Sequence, residues 1–524
     1  MTNVPGTQAV RQPEAPESSE KQGNMMKRYV LAGLAALLFG NTALAQQSED
    51  TLRVSFRNPL ESTDYFFTTL RESVILQHHL YDHLLIRDPK TLELVPGLAE
   101  AYRWVDDRTL EFDIRQNVKF HDGSMLAAED VAHTINSVIA PGVTPGVPSN
   151  YTWIESAEVT GPYQVRVRTK GIFPAALEYL ANTMPIYPRT YKGKSQDAPH
   201  AIGTGPYRLV SQDASEYVLE RFEDHYAASP KGRPAIKTLK IRIVPDAATD
   251  IAELLSGGLD LIWNVASDQI DGIRRLPDFE VTQAESMRIT YLSMDAAGRS
   301  DKNSPLTKVE VRRAISHAID KRTLVENLLP GASVIDTPCY PKQFGCSPEV
   351  ARYPYDPARA KQLLAEAGYP NGVAIDFYWP TYRPRIWGEV IQSNLQQVGI
   401  DANMILVPVA QMQERARNNE IGFFYLDHGS YSINDASVLY SWFFAGGADD
   451  FARDPELQSL IGQSQATTDT DTRREIMYQV SKRAADQAYI LPMSTFSTTY
   501  AASKSVKFDA FVDEIPRFYL YQWN

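Results

Sequence analysis

The sequence predicts an α/β protein built from more than one lobe. Strand patterns alternate with helix patterns in both halves of the chain. After Pro357 a helix, a strand, a helix and a strand follow one another, the crossover order that builds open sheets. The 524 residues, 43% of them apolar, supply core for two to four domains at about 150 residues each.

The elements follow in chain order. Thr51 to Phe56 alternates polar and apolar residues at period two, a strand pattern. Tyr102 to Ile114 reads as a hairpin with Asp106-Asp107 at its turn. Lys119 to Gly123 is a turn, and the helix after it carries Glu129 and Asp130 in its first turn and Val131, Ile135 and Val138 on one face. Prolines and glycines between Pro141 and Pro148 make a loop, and Gln164 to Thr169 alternates as a strand. Ile202 to Val210 is a Gly-rich turn entering a strand, with Tyr217 to Phe222 beside it. Lys240 to Val244 is a strand, Ala247 to Leu255 a helix ended by Gly257-Gly258, and Leu259 to Trp263 and Thr290 to Met294 are short buried strands.

Helix signals are stronger in the second half. Thr307-Lys308-Val309-Glu310 has the form of a capping box, and Val311, Ala314, Ile315, Ala318 and Ile319 recur at three and four. Asp356 is an N-cap before Pro357 at N1, and Gly368 suits the position past the helix end. Val373 to Tyr378, Ala402 to Val407 and Phe423 to Leu426 are strands; Ile386 to Gln397 and Thr472 to Gln487 are helices.

Composition excludes several functions. With 52 Lys+Arg against 64 Asp+Glu, the net charge of −12 repels phosphate backbones, so no nucleic-acid partner is expected. Two cysteines rule out a four-cysteine metal site. Residues 1–24 are polar; Met25-Met26-Lys27-Arg28, the apolar run Tyr29 to Phe39, and Ala43-Leu44-Ala45 then form a three-part secretory signal, with cleavage expected after Ala45. No cysteine sits at that point, so the product is not expected to be a lipoprotein. Export permits disulfides, and Cys339 and Cys346, around a turn-rich stretch, are expected to be bridged. Gly193-Lys194-Ser195 looks like the end of a phosphate loop, but Pro188 stands where that loop needs glycine. His78, His79 and His83 read better as surface or core-edge residues than as a metal cluster, and no nucleophile–base pair is legible, so an enzyme is not expected.

Several segments together resemble one family. Val118 to Ser124 followed by Ala128-Glu129-Asp130-Val131 resembles the signature of the family 5 extracellular solute-binding proteins, the dipeptide, oligopeptide and nickel receptors of ABC importers. Gly203 to Tyr207, Val311 to Asp320 and Tyr355 to Gly368 resemble further blocks, in the family's order. The resemblance implies a bilobal periplasmic-binding-protein fold of the cluster C type, with two crossover hinge strands. Lobe I would comprise 46–288 plus 493–524, with an inserted subdomain near 83–190, and lobe II 289–492. The hinge crossings would fall near Tyr291 to Met294 and Tyr489 to Pro492. It also implies a periplasmic monomer without a cofactor, whose partners are a small-molecule or short-peptide ligand and an inner-membrane ABC permease with its ATPase. A ligand would shift the population of lobes toward the closed state.

Tyr378 to Arg385 resembles the dipeptide-receptor segment whose arginine holds the ligand carboxylate. Arg383 takes that place, with Arg385 the second choice and a surface loop arginine the alternative; Tyr382 belongs to the same segment. A guanidinium presents a planar fork that matches a carboxylate. The family's Asp for a ligand amine falls near Tyr431; Asp427 or Asp435 would substitute, or cap the loop, or the ligand lacks an amine. Trp263, Trp379 and Tyr291 end strands toward the implied cleft and would stack on ligand or fill core. Arg57 to Asp64 is a further cleft-edge candidate. The expected role is a receptor for a peptide or peptide-like solute; the alternatives are an opine, oligosaccharide or other non-peptide ligand, an exported hydrolase, and a sensor or chaperone on the same fold. Nickel is a weaker ligand, since no histidine cluster falls in the cleft segments.

Overall fold

Thr51–Phe56 (β1) opens a mixed sheet that runs through the whole protein. The computed structural model describes residues 50–60, 62–68, 70–192, 201–430 and 432–524; the expected leader at 1–45, the Gly193-Lys194-Ser195 stretch and Tyr431 lie outside them. Leu85–Arg87 (β2) and Leu94–Pro96 (β3) form a small hairpin. Ala99–Asp106 (β4), Thr109–Ile114 (β5), Ile154–Gly161 (β6) and Gln164–Thr169 (β7) make an antiparallel sheet in the order β4-β5-β7-β6. The turn between β4 and β5 falls on Asp107-Arg108, one residue later than expected, because the Asp106 carboxylate accepts from the Arg108 N–H at 2.8 Å. Helix Ala128–Val138 lays Val131, Ile135 and Val138 on this sheet.

The remaining strands of the large sheet are Tyr207–Gln212 (β8), Glu216–Arg221 (β9), Thr238–Ile243 (β10), Leu261–Trp263 (β11), Phe279–Met294 (β12), Val373–Pro380 (β13), Ile400–Val407 (β14), Phe423–Gly429 (β15) and Ile490–Ser503 (β16). Ten strands lie in the order β14-β13-β15-β12-β16-β11-β1-β10-β9-β8. Val506–Lys507 (β17) and Gln522–Trp523 (β18) pair beside it. The fold is bilobal: β13, β14 and β15 are parallel neighbours in one lobe, β1 and β11 in the other. The two middle strands, β12 and β16, are antiparallel from Phe279 opposite Ser503 to Ser293 opposite Ile490, with a register shift between Ser286 and Ile289. Arg288 to Met294 of β12 also pairs with β15, while Tyr500 to Ala502 of β16 pairs with β11.

β12 is far longer than the expected Thr290 to Met294, because its first half, FEVTQAES, is polar and half-buried. The capping box is absent: Lys308 is the N-cap, Pro305–Thr307 forms a 3-10 turn, and the Thr307 hydroxyl donates to the Ser304 carbonyl at 2.7 Å. The helix face itself is as expected, with Val311, Ala314, Ile315 and Ala318 buried. Asp356 caps helix Pro357–Glu366 by accepting from the Arg359 N–H at 2.9 Å, and Gly368 follows in the left-handed region at φ +90°. Cys339 and Cys346 are disulfide-bonded, with Cα atoms 5.9 Å apart. Among the described residues no helix is long and apolar enough to cross a membrane.

His78, His79 and His83 are buried in the core rather than placed at the surface. His79 is fully buried in helix Arg71–Leu80; its Nδ1 donates to the Ile75 carbonyl at 2.8 Å and its Nε2 accepts from the Phe518 N–H at 3.0 Å. His121 joins the signature turn to the Gly-rich turn: the Gly203 N–H donates to its Nδ1 at 3.2 Å, and Nε2 donates to the Gly205 carbonyl at 3.0 Å. This close seating explains the glycines. A Cβ at Gly203 would lie 2.0 Å from the Leu80 carbonyl oxygen. Gly203→Ala is therefore expected to cost about 1–3 kcal/mol of stability, read as a lowered urea midpoint, since backbone must move to relieve the overlap.

Candidate functional site

A cavity of about 470 Å³ opens where β11, β12, β15 and β16 come together. Its walls carry an alternating row of charges. The Arg71 Nη2 meets the Glu514 carboxylate at 3.2 Å. Arg288, on β12, meets Glu514 at 3.2 Å through Nη2 and Asp427 at 3.1 Å through Nη1. Arg383, in the loop after β13, meets the other Asp427 oxygen at 2.5 Å. The Tyr382 hydroxyl donates to that same oxygen. The row thus reads Arg71, Glu514, Arg288, Asp427, Arg383, three cations around two anions. Every member lines the cavity, as do Glu72, whose carboxylate accepts from the Asn58 amide at 2.9 Å, and Ser497, Thr498 and Thr499 of β16.

Burial alone would raise the pKa of Asp427 and Glu514. Arg383 and Arg288 outweigh it at Asp427, and Arg288 and Arg71 at Glu514, so both carboxyls titrate below their ordinary values. Burial likewise works against the charge on Arg288 and Arg383, and the carboxylates outweigh it, raising both guanidinium pKa values. Asp427, Glu514, Arg288 and Arg383 therefore remain ionised at neutral pH. The Arg383 guanidinium also lies 4.7 Å from the centroids of both the Tyr382 and Phe496 rings. Its Nε is buried without a hydrogen-bond partner among the described residues.

A second cavity of about 380 Å³ lies between residues 147–179 and residues 428–473. Phe173, Tyr179, His428 and Trp442 are among the residues that line it. His428 stacks on Trp442 at 4.4 Å, and Phe173, which faces the same space, stacks on Trp153 at 4.8 Å. Among the described residues no group of three or more His, Cys, Asp or Glu side chains is placed to hold a metal ion.

The structure brings Trp263, Tyr382, Arg383 and Asp427 into the first cavity, and Asn58 comes from the expected cleft edge at Arg57 to Asp64. It places other expected residues elsewhere. Trp379 is fully buried under Tyr425 at 4.4 Å, and Tyr291 packs edge-on against Phe443 at 4.8 Å; both belong to hydrophobic cores. Asp435 gives both oxygens to Arg473, at 2.7 and 3.0 Å, inside the protein. Arg385 is exposed and pairs with Glu389 one helical turn on. Arg71, Glu72, Arg288, Phe496 and Glu514 were not expected in the site. Arg288, a lone charge between Met287 and Ile289 in a strand, carried a legible signal. Glu514, in a loop with φ +59°, carried none.

A family model for bacterial extracellular solute-binding proteins, family 5, middle region, matches residues 93–450. The chain is 26% identical over 457 residues to the heme-binding protein A of Haemophilus influenzae (strain ATCC 51907 / DSM 11121 / KW20 / Rd), a match that covers 79% of this chain and 81% of that one. It is 28% identical over 330 residues to the glutathione-binding protein of Salmonella paratyphi A (strain ATCC 9150 / SARB42), covering 62% of this chain and 63% of that one. Among solved structures, HbpA2 from Haemophilus parasuis superimposes with a TM-score of 0.80 at 23% identity, over 90% of this chain and all of that one.

Proposed function

Because the chain belongs to the bacterial extracellular solute-binding proteins of family 5, we propose that it captures a peptide or peptide-like solute between its lobes and hands it, unaltered, to an inner-membrane ABC permease and its ATPase. The observation that carries the ligand class is the alternating row from Arg71 to Arg383 along one cavity wall. A zwitterion offers charges of both signs to such a row, and Arg383, whose buried Nε has no hydrogen-bond partner among the described residues, favours a ligand with a carboxylate. The carboxylate meets Arg383, which Asp427 engages through a single nitrogen. Asp427, Glu514 or Glu72 receives an amine. The similarity to a glutathione-binding protein supports a peptide-like ligand. An opine or another carboxylated non-peptide fits the row equally well in charge; an oligosaccharide leaves it unanswered.

The lobes divide at 288/289 and 492/493, with 46–288 plus 493–524 in lobe I and 289–492 in lobe II. The register shift in β12 between Ser286 and Ile289 supports this division. Closure is then a bend of the β12–β16 ribbon, driven by ligand contacts that exist only in the closed state. The mature protein begins at Gln46 in the periplasm; N-terminal sequencing of the exported protein checks the cleavage point.

Calorimetric titration with a peptide set that includes glutathione, alongside opines and oligosaccharides, tests the ligand class. Silence across all peptides removes the peptide assignment. Product formation by the pure protein would instead favour a hydrolase. Arg383→Ala is expected to weaken a carboxylate ligand at least tenfold, about 1.4 kcal/mol or more, since the anion stays buried without its fork. The same titration checks it, and a smaller change moves the carboxylate to Arg71 or Arg288.

A further inference from the structure

The disulfide-closed loop, residues 339–346, lies behind the connection that leads from β15 into helix Ser437–Phe444. Gln343 sits in that loop, 3% exposed. Its Nε2 donates to the Ser430 hydroxyl at 2.8 Å and to the Ile433 carbonyl at 2.9 Å, while its Oε1 accepts from the Tyr340 N–H at 3.1 Å. The next carbonyl, of Phe344, accepts from the Ala436 N–H at 2.9 Å. The rear of the connection is thus held at three successive points by one short loop.

The front of the same connection reaches lobe I. Ser432 donates to the Asp513 carbonyl at 2.8 Å and accepts from Arg71 Nη1 at 3.1 Å. The Asn434 N–H donates to the Glu178 carboxylate at 3.3 Å, and its side chain to the Leu92 carbonyl at 3.4 Å. Arg71 is a member of the charged row, and Asp513 precedes another, Glu514. Away from β12 and β16, these are contacts through which the two lobes touch.

We propose that the disulfide-closed loop positions the connection between β15 and helix Ser437–Phe444, with Gln343 as the positioning residue, so that the connection keeps its place against lobe I only while that loop is intact. The bond restrains the loop by covalent closure, and Gln343 passes that restraint on as two hydrogen bonds. The consequence for capture rests on the receptor reading above; the placement itself does not. The contacts are made by backbone carbonyls and amides as much as by side chains, so the loop sets where the connection runs rather than which ligand it meets.

Hydrogen exchange on the full-length mature protein, without ligand, tests it. Two variants are compared with the parent: Gln343→Met, which keeps the volume and removes both donors, and Cys339→Ser/Cys346→Ser, which removes the closure. Exchange at the Ile433 and Ala436 amides is expected to rise at least tenfold in both, while the Leu292 amide in β12 keeps its parental rate. A rise below tenfold in either variant overturns the proposal. So does a matching rise at Leu292, which marks general loosening. Since no ligand is present, failure here leaves the receptor reading standing, and failure of every titration leaves this result standing.

Discussion

Lowering the pH from about 7 to about 5 is expected to remove about 4 kcal/mol of folding stability through His79 and His83 alone. Burial depresses both imidazoles to about 3, against an ordinary value of 6.5. The sign follows from proton binding: below 6.5 the unfolded chain takes up protons that the folded chain refuses, so stability is present above that value and is lost as the pH falls toward 3. At about pH 5 each group contributes about 1.5 pH units of that difference, or about 2 kcal/mol. The geometry gives the reason for His79. A proton on its Nε2 would face the Phe518 N–H, so only the neutral ring satisfies both bonds. His78, His121 and His428 are depressed mainly by burial as well and act in the same direction. The depressed carboxyls, Asp82, Asp427 and Glu514, add their own loss only below the ordinary carboxylate range, so the histidine window stands apart. Urea unfolding followed by circular dichroism at a series of pH values measures it; equal midpoints at about pH 7 and about pH 5 would refute it.

Lys231→Met is expected to cost about 3–5 kcal/mol, because removing one partner of a buried ion pair leaves the other charge uncompensated. The Lys231 ammonium is 2.8 Å from Asp82 Oδ1 and donates to the carbonyls of His78 at 2.8 Å and Tyr81 at 2.6 Å. Burial lowers its pKa despite Asp82. Asp82 has no exposed side chain; burial raises its pKa, and Lys231 and His225 more than reverse this. Methionine fills much of the space, so the loss is electrostatic rather than a cavity. In the variant the buried carboxyl gains stability by taking up a proton, and the deficit against the parent shrinks as the pH falls toward the carboxylate range. Parallel urea titrations of both proteins read the deficit. A cost under about 1 kcal/mol would mean that the site admits water or an ion in place of the ammonium.

Regular elements were legible wherever one face alternates or recurs. Helix Ala247–Leu255 agrees end for end with its reading, and Asp356, Pro357 and Gly368 mark the limits of theirs. β12 was half hidden, because both of its faces meet partly polar surroundings over Phe279 to Ser286 and no alternation survives. In the cavity, Tyr382 and Arg383 follow β13 and Asp427 lies near the carboxyl end of β15, where local pattern points to ligand sites. Arg71, Arg288 and Glu514 come from a helix start, a middle strand and a late loop, far apart in sequence. Only the folded chain brings them together. Trp379 and Tyr291 show the converse: a strand end near a cleft still sends alternate side chains into the core.

The strand Ile490–Ser503 and the segment after it complete the hydrophobic interior of the lobe that the amino-terminal residues begin, with Tyr500, Phe518 and Tyr521 beside Val54 and Phe56. During synthesis that interior therefore stays unfinished until the carboxy-terminal stretch has left the ribosome.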